Sequence, residues 1–420
     1  MNIEILTIGD ELLLGFTLDS NGAHLARELA SVGVSIVRRT SVGDEAGSIA
    51  SAVREALERT GAVITTGGLG PTSDDLTKPS IAAVFGRGMR LDTDILEALR
   101  ARWIARGWGK ELPKTNEQQA LVPEGATILE NRHGSAPGIW LEDERGRWVA
   151  MLPGVPREMR CMLADELLPR VRALAERAGG ATPSTVVRSR TIRTTSISES
   201  LLADTIKPIE SQLAGLSLAY LPGWPGVDLR LTARGLSADE STRALEAAAD
   251  LLRKTVGAFV YGADTDDLAA VVLQLCRNRQ HTITVAESCT GGLLGSRITA
   301  IPGSSDLFLG GVIAYSYDVK ESQLGVRHDT LVAHGAVSEE TAREMATGAR
   351  ERFGADITVA ITGIAGPGGG MPGKPVGTVC FAVDVRGDVH SAKRSMVGDR
   401  DEIRQRSAQW ALDMVRRRLA

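Results

Sequence analysis

The stretch that most restricts the fold is Ile283–Gly292, reading I-T-V-A-E-S-C-T-G-G. A short β-branched run ends at Ala286. Two candidate nucleophiles, Ser288 and Cys289, follow, and Thr290 with Gly291 and Gly292 opens a helix expected over Leu293–Thr299. A strand that turns this sharply into a helix leaves backbone N–H groups free beside the junction residues. Gly placed only for tight packing is the plain alternative, but Ser-Cys-Thr in front argues for a ligand. The same pattern recurs along the chain. Ile3–Ile8 runs into G-D-E-L-L-L-G, Ala62–Thr66 into G-G-L-G-P-T-S-D-D-L-T, and Ile357–Thr362 into G-I-A-G-P-G-G-G. Near-continuous apolar runs mark strands buried on both faces, and their alternation with helical periods predicts layered α/β domains.

At 420 residues the chain is too long for one core. A boundary at Ala178-G-G-A-T-P-Ser184 and a second near Gly257 suggest domains over 1–170, 171–255 and 256–420. The middle stretch reads β-α-β-β-α, a small α+β domain without a catalytic constellation. Trp224, in P-G-W-P-G, is read as an exposed turn aromatic, and Gly257–Asp267 as the lead into the last domain. A formal charge of −4 argues against a nucleic-acid footprint. No run of 18 apolar residues suggests a membrane span, and no basic leader precedes the first strand, so a cytoplasmic chain acting on small molecules is expected. Four Cys without C-x-x-C spacing give little prospect of a metal cluster or disulfide framework.

In the first domain the chemistry gathers at Thr66–Thr77. Gly67, Gly68 and Gly70 allow close backbone approach to a phosphate, and Thr72 can donate to it or cap a helix. Asp74 and Asp75 are hard oxygen ligands suited to Mg²⁺ or Mn²⁺. Asp10 and Glu11, also at a strand's end, could converge on the same ion. A paired Asp at a helix start serves equally as a cap. Without G-x-x-x-x-G-K-[ST] this is not a nucleotide-hydrolysing P-loop.

In the final domain three strand ends carry Ser288, then Tyr315 with Lys320, then the 363–370 glycines, while Arg400 in G-D-R precedes the closing helix. A Ser nucleophile needs a base, and a Lys serves at neutral pH once burial lowers its pKa. Tyr315 could relay or hold the proton. Cys289 competes as nucleophile but has no evident His partner, and the alternative for it is a buried structural thiol.

G-D-E-L-L-x-G, T-G-G-L-G-P-T-x-D-D-x-T, the Lys114/Asn116/Ala120 cluster and L-P-G-V-P-x-E-M together resemble the N-terminal domain of the CinA (competence/damage-inducible) family. A-E-S-C-T-G-G, Y-S-x-x-x-K, H-G-A-V-S, I-T-G-I-A-G-P-G-G, K-P-V-G-T-V and G-D-R closely resemble its C-terminal domain. The resemblance implies a three-layer, molybdopterin-binding-like first domain and an α/β final domain similar to stand-alone nicotinamide mononucleotide deamidases. It implies metal-dependent ADP-ribose pyrophosphatase activity in the first domain, using Mg²⁺, Mn²⁺ or Co²⁺ and helped by K⁺. Asp10 and Asp75, with Asp74 or Glu11, would lie near the metal, and the Gly67–Thr72 backbone near the diphosphate. Lys114 and Asn116 would belong to the same site. In the final domain, which implies no cofactor, it assigns Ser288 as nucleophile, Tyr315 and Lys320 as its partners, and Thr290, Gly291, Gly292, Gly363, Ala365, Gly366 and Arg400 to substrate. Tyr317 stands where some relatives carry Asn. A homodimer is the family expectation. The rival readings are a molybdopterin-handling protein and a non-enzymatic interaction protein of DNA uptake.

Overall fold

The computed structural model describes residues 1–179, 186–213 and 215–420, so the expected boundary at Ala178–Ser184 falls almost wholly outside them. The chain divides into two compact units. One comprises residues 1–188 with 233–242, and the other 189–232 with 243–420.

The first unit is built on a six-stranded sheet. Its order is Ser35–Val42, Asn2–Ile8, Ala62–Thr66, Trp148–Leu152, Gly138–Glu142, Thr127–Leu129. The first four strands run parallel, and the last two pairings are antiparallel. Asn2–Ile8 shows why three layers form. Ile3 and Ile5 pack with Leu25 and Leu29 of helix Ser20–Ser31, whereas Leu6 and Ile8 pack with Ile49 and Val53 of helix Ala46–Thr60. Each such side chain is buried and contributes roughly 1.5–3 kcal/mol. Because four parallel strands share a direction, their C-terminal ends deliver Asp10, Asp44, Gly67 and Gly154 to one edge.

The chain stays helical from Pro156 to Gly179, with one irregularity. A π turn at Leu163–Leu167 separates Pro156–Met162 from Leu168–Gly179, because Pro169 has no N–H to extend the α ladder. The Lys114–Ala120 segment is a 3₁₀ turn after helix Thr93–Ala105.

The second unit holds a five-stranded sheet in the order Phe308–Ile313, Ile283–Glu287, Ile357–Gly363, Thr378–Val385, Asp388–Ser395. The first three strands are parallel, and the next two pairings antiparallel. Val285 and Val359 face helices Leu268–Arg279 and Arg400–Leu419, while Ala286 and Ala360 face helix Glu339–Phe353.

The middle stretch folds as a sheet with two helices, and the sheet has a fourth strand. Val260–Ala263 pairs with Val186–Thr194 and extends the sheet past the boundary placed at residue 255. It is not a free spacer. Asp413 of the closing helix is 2% exposed and accepts from Ser196 Oγ (2.7 Å), Arg416 (2.9 and 2.7 Å) and Arg417 (2.8 Å). Arg416 also donates to the Ala258 and Val260 carbonyls. Asp413→Ala leaves the buried Arg416 without its carboxylate partner, and a loss of about 3–5 kcal/mol is expected, read as a lower thermal midpoint.

Candidate active sites

In the second unit, strand Ile283–Glu287 lies between its two parallel neighbours, so the three strand ends converge. Ser288 N–H donates to Ile361 O (2.9 Å) on one side, and Ala314 N–H to Glu287 O (2.7 Å) on the other. The Ser316-capped helix Tyr317–Leu324 then returns Lys320 beneath this edge. Lys320 Nζ lies 3.1 Å from Ser288 Oγ, 2.6 Å from Ala314 O and 3.4 Å from Tyr315 O. At 1% exposure the amine is cut off from water, and burial lowers its pKa from 10.5 to about 8. Among the described residues no Asp or Glu pairs with it. Its two carbonyl acceptors can take the N–H groups of the neutral amine and leave the lone pair facing the serine hydroxyl.

Cys289 is buried too, and that pushes its thiol up to about 12, which leaves it inert as a nucleophile at neutral pH. Tyr315 differs from expectation. Its side chain is 63% exposed, and its hydroxyl accepts from Arg400 Nη2 (3.3 Å) rather than reaching Lys320; only its main-chain oxygen approaches the amine. Arg400 Nη1 donates to Gly366 O (2.5 Å), so Arg400, Tyr315 and Gly366 form one rim. The closing helix that begins at Arg400 is fixed by an Asp399/Glu402 capping box. Gly363 still belongs to its strand, paired with Val379, and Ala365 is buried. Tyr317 is half exposed, and its hydroxyl accepts from Ala336 N–H (3.4 Å).

The junction turn corrects one further expectation. The Gly292 N–H is not free for a ligand, since Glu287 Oε2 accepts from it (3.0 Å), and Gly291 N–H donates to Ser288 O (3.1 Å). The Cys289 and Thr290 N–H groups have no oxygen acceptor among the described residues. Thr290 Oγ1 is buried without a partner, and the Thr290 carbonyl accepts from Arg404 (2.9 Å).

In the first unit the strand ends enclose a cleft of about 290 Å³. Gly67, Gly68, Asn21 and Gly154 line it, and Glu11, Asp44, Asp74 and Asp75 bring carboxylates to it. Gly67 has φ +111°, and a Cβ there would strike the Ile8 carbonyl, so the strand crossing requires glycine. Asp75 accepts from Gly70 N–H (2.7 Å), Thr72 N–H (2.8 Å) and Thr72 Oγ1 (2.5 Å), and so staples the glycine loop. Asp10 and Asp44 cross-link two strand ends, Asp10 N–H donating to Asp44 Oδ2 (2.9 Å) and Asp44 N–H to Asp10 Oδ1 (3.2 Å). Burial, reinforced by Asp10, Glu11 and Asp74, holds the Asp44 carboxyl above its usual range.

Among the described residues, no three His, Cys, Asp or Glu groups form an all-protein metal cage. Mg²⁺ commonly takes one or two carboxylates and completes its shell with water and substrate phosphate, and the carboxylates at this cleft fit that mode. Asp10, Gly70, Thr72, Lys114 and Asn116 do not line the cleft. Asp44, Asn21 and Lys78 were missed in the sequence. Asn21 Nδ2 donates to Gly154 O (2.7 Å), and its Oδ1 is buried without a partner. Lys78, 3% exposed, donates to Gln118 O (2.6 Å) and Gln119 O (3.2 Å).

Three family models tile the chain. A probable molybdopterin binding domain matches residues 4–173, a damage-inducible protein CinA KH domain residues 189–262, and a CinA C-terminal domain residues 265–419. The chain is 60% identical over 420 residues to a CinA-like protein of Gemmatimonas aurantiaca, spanning all of this chain and 97% of that protein. It is 44% identical over 420 residues to a CinA-like protein of a Synechococcus species, at 99% and 98% coverage. A crystal structure of a competence-damaged protein (CinA) superfamily protein from Klebsiella pneumoniae is similar over 36% of this chain and 95% of that one, with 37% identity and a TM-score of 0.36. A match this long, at this identity and across all three domain models, places the chain in the CinA family.

Proposed function

We propose that the second unit is an amide hydrolase that converts nicotinamide mononucleotide to nicotinate mononucleotide and ammonia. The observation that carries this reading is the buried Lys320 Nζ, 3.1 Å from Ser288 Oγ. Neutral Lys320 takes the hydroxyl proton as Ser288 Oγ bonds to the carboxamide carbon, and the carbonyl electron pair moves onto oxygen. The Cys289 and Thr290 N–H groups are the donors left for that oxyanion, each worth about 3 kcal/mol where geometry is good. The pair then returns, the C–N bond breaks, and the Lys320 ammonium gives its proton to the departing nitrogen. Water, deprotonated by Lys320, hydrolyses the resulting ester and restores Ser288. Arg400, at the rim with Tyr315, suits the substrate phosphate. Ammonia release from nicotinamide mononucleotide tests the reading.

For the first unit we propose hydrolysis of the ADP-ribose diphosphate to AMP and ribose 5-phosphate. The Gly68 and Leu69 N–H groups of the glycine loop would face the diphosphate, and Glu11, Asp44 and Asp74, with Asp10 beside them, would hold a divalent cation against its oxygens. Such a cation supplies charge neutralisation and polarises the phosphorus centre. The match to a probable molybdopterin binding domain favours a second reading, in which the same loop cradles a pterin phosphate. AMP formation from ADP-ribose only with added Mn²⁺, Co²⁺ or Mg²⁺, and no pterin binding, decides for the first. Pterin binding without AMP formation decides for the second.

A further inference from the structure

The residue immediately before the serine is a glutamate that the acyl-transfer scheme does not use. Glu287 is 1% exposed. Its Oε2 accepts from the Gly292 N–H (3.0 Å) and the Leu294 N–H (3.1 Å), and its Oε1 from the Gly295 N–H (2.8 Å). Its backbone is fixed as firmly, in register with Ile313 on one side and Ile361 on the other. A helix start is ordinarily satisfied by a side chain at the cap position itself. Here the cap is Gly292, which has none, and the acceptor comes from the strand five residues earlier. The carboxylate therefore closes a four-residue arch, Ser288, Cys289, Thr290 and Gly291, across which the Gly291 N–H reaches Ser288 O (3.1 Å). Opposite them stands Lys320, whose helix is anchored independently by the Ser316 cap. With both partners fixed from separate elements, the Oγ–Nζ separation depends on the shape of that four-residue arch.

We infer that Glu287 is a positioning residue for Ser288. By binding the helix's first amides it ties the helix start to the strand, sets the arch that points Oγ at Lys320, and leaves the Cys289 and Thr290 N–H groups as the open donors. The inference rests on the amidase reading for its substrate, but the arch can be tested without it.

Glu287→Gln keeps the volume but turns an NH₂ toward amides that need an acceptor, and Glu287→Asp keeps the charge on a shorter stem. For both variants kcat on nicotinamide mononucleotide should fall about 100-fold with KM within about 3-fold, since small misplacements of reacting groups carry losses of that size. A fluorophosphonate probe should still label Ser288 to full stoichiometry, only more slowly by a similar factor. A merely structural role gives the opposite pattern, with labelling stoichiometry falling alongside the melting temperature and each labelled site turning over at the wild-type rate. That pattern, or wild-type kcat in a folded variant, overturns the inference. If the Gln variant does not fold, the Asp variant decides by the same two readouts. Should the wild type fail to hydrolyse the nucleotide, the amidase reading falls, and the labelling rates still decide the role of Glu287.

Discussion

Replacing Lys320 by Met will lower carboxamide hydrolysis about 1000-fold, within the range a positioned general base contributes. Met nearly matches the volume and keeps the buried methylene contacts, so the loss isolates the amine. The pH dependence follows from the same burial. With the amine held at about 8, roughly a tenth of wild-type molecules carry neutral Lys320 at pH 7, and kcat/KM should rise with pH to a plateau above about 8. The Met variant should lose that limb. Stability has a definite sign as well. A lysine whose folded pKa lies below its ordinary value binds its proton more tightly when unfolded. The fold therefore gains stability as pH rises from about 8 toward 10.5, and below that window the charged amine opposes burial. Lys320→Met should remove this slope and be no less stable than wild type at pH 7. Thermal melts at pH 7 and pH 10 check both statements.

Asp75→Ala should remove the activity of the first unit, with AMP release from ADP-ribose and Mn²⁺ falling by about 100-fold or more. Three hydrogen bonds from Gly70 and Thr72 end on that carboxylate, and they fix the loop so that the Gly68 and Leu69 N–H groups, which have no acceptor among the described residues, are the amides left for the diphosphate. Asp75→Asn keeps one acceptor oxygen and should fall between. The melting temperature should change little, because the loop crowns the strand ends and contributes little to the core. A variant with undiminished AMP release would show that the staple does not shape the phosphate site.

The layered fold was legible because each buried parallel strand is a short apolar run ending in glycine. Ser288 and the Gly67–Gly70 loop stand out on that grammar, as residues that interrupt it at strand ends, whereas Lys320 lies on the helix after one strand end and Arg400 opens the closing helix. What stayed hidden was how their polar groups are spent. Glu287 reads as an ordinary residue of A-E-S-C, and only the fold shows it consuming the Gly292 N–H. Tyr315 sits at the right strand end, yet a strand residue's side chain and carbonyl face different ways, so its hydroxyl goes to Arg400 while its carbonyl meets Lys320. Asp44 repeats the Gly-Asp that follows the first strand, in G-D-E at 43–45, and that echo was its one available signal. Val260–Ala263 escaped notice because a four-residue edge strand after a 3₁₀ turn has no period of its own.

The central claim is that Ser288 acts on a carboxamide. Ammonia release from nicotinamide mononucleotide, measured for wild type beside Ser288→Ala at pH 9, tests it most directly. The account predicts stoichiometric ammonia and nicotinate mononucleotide from the wild type, and a rate near background from the variant. Equal ammonia release by both proteins would contradict it.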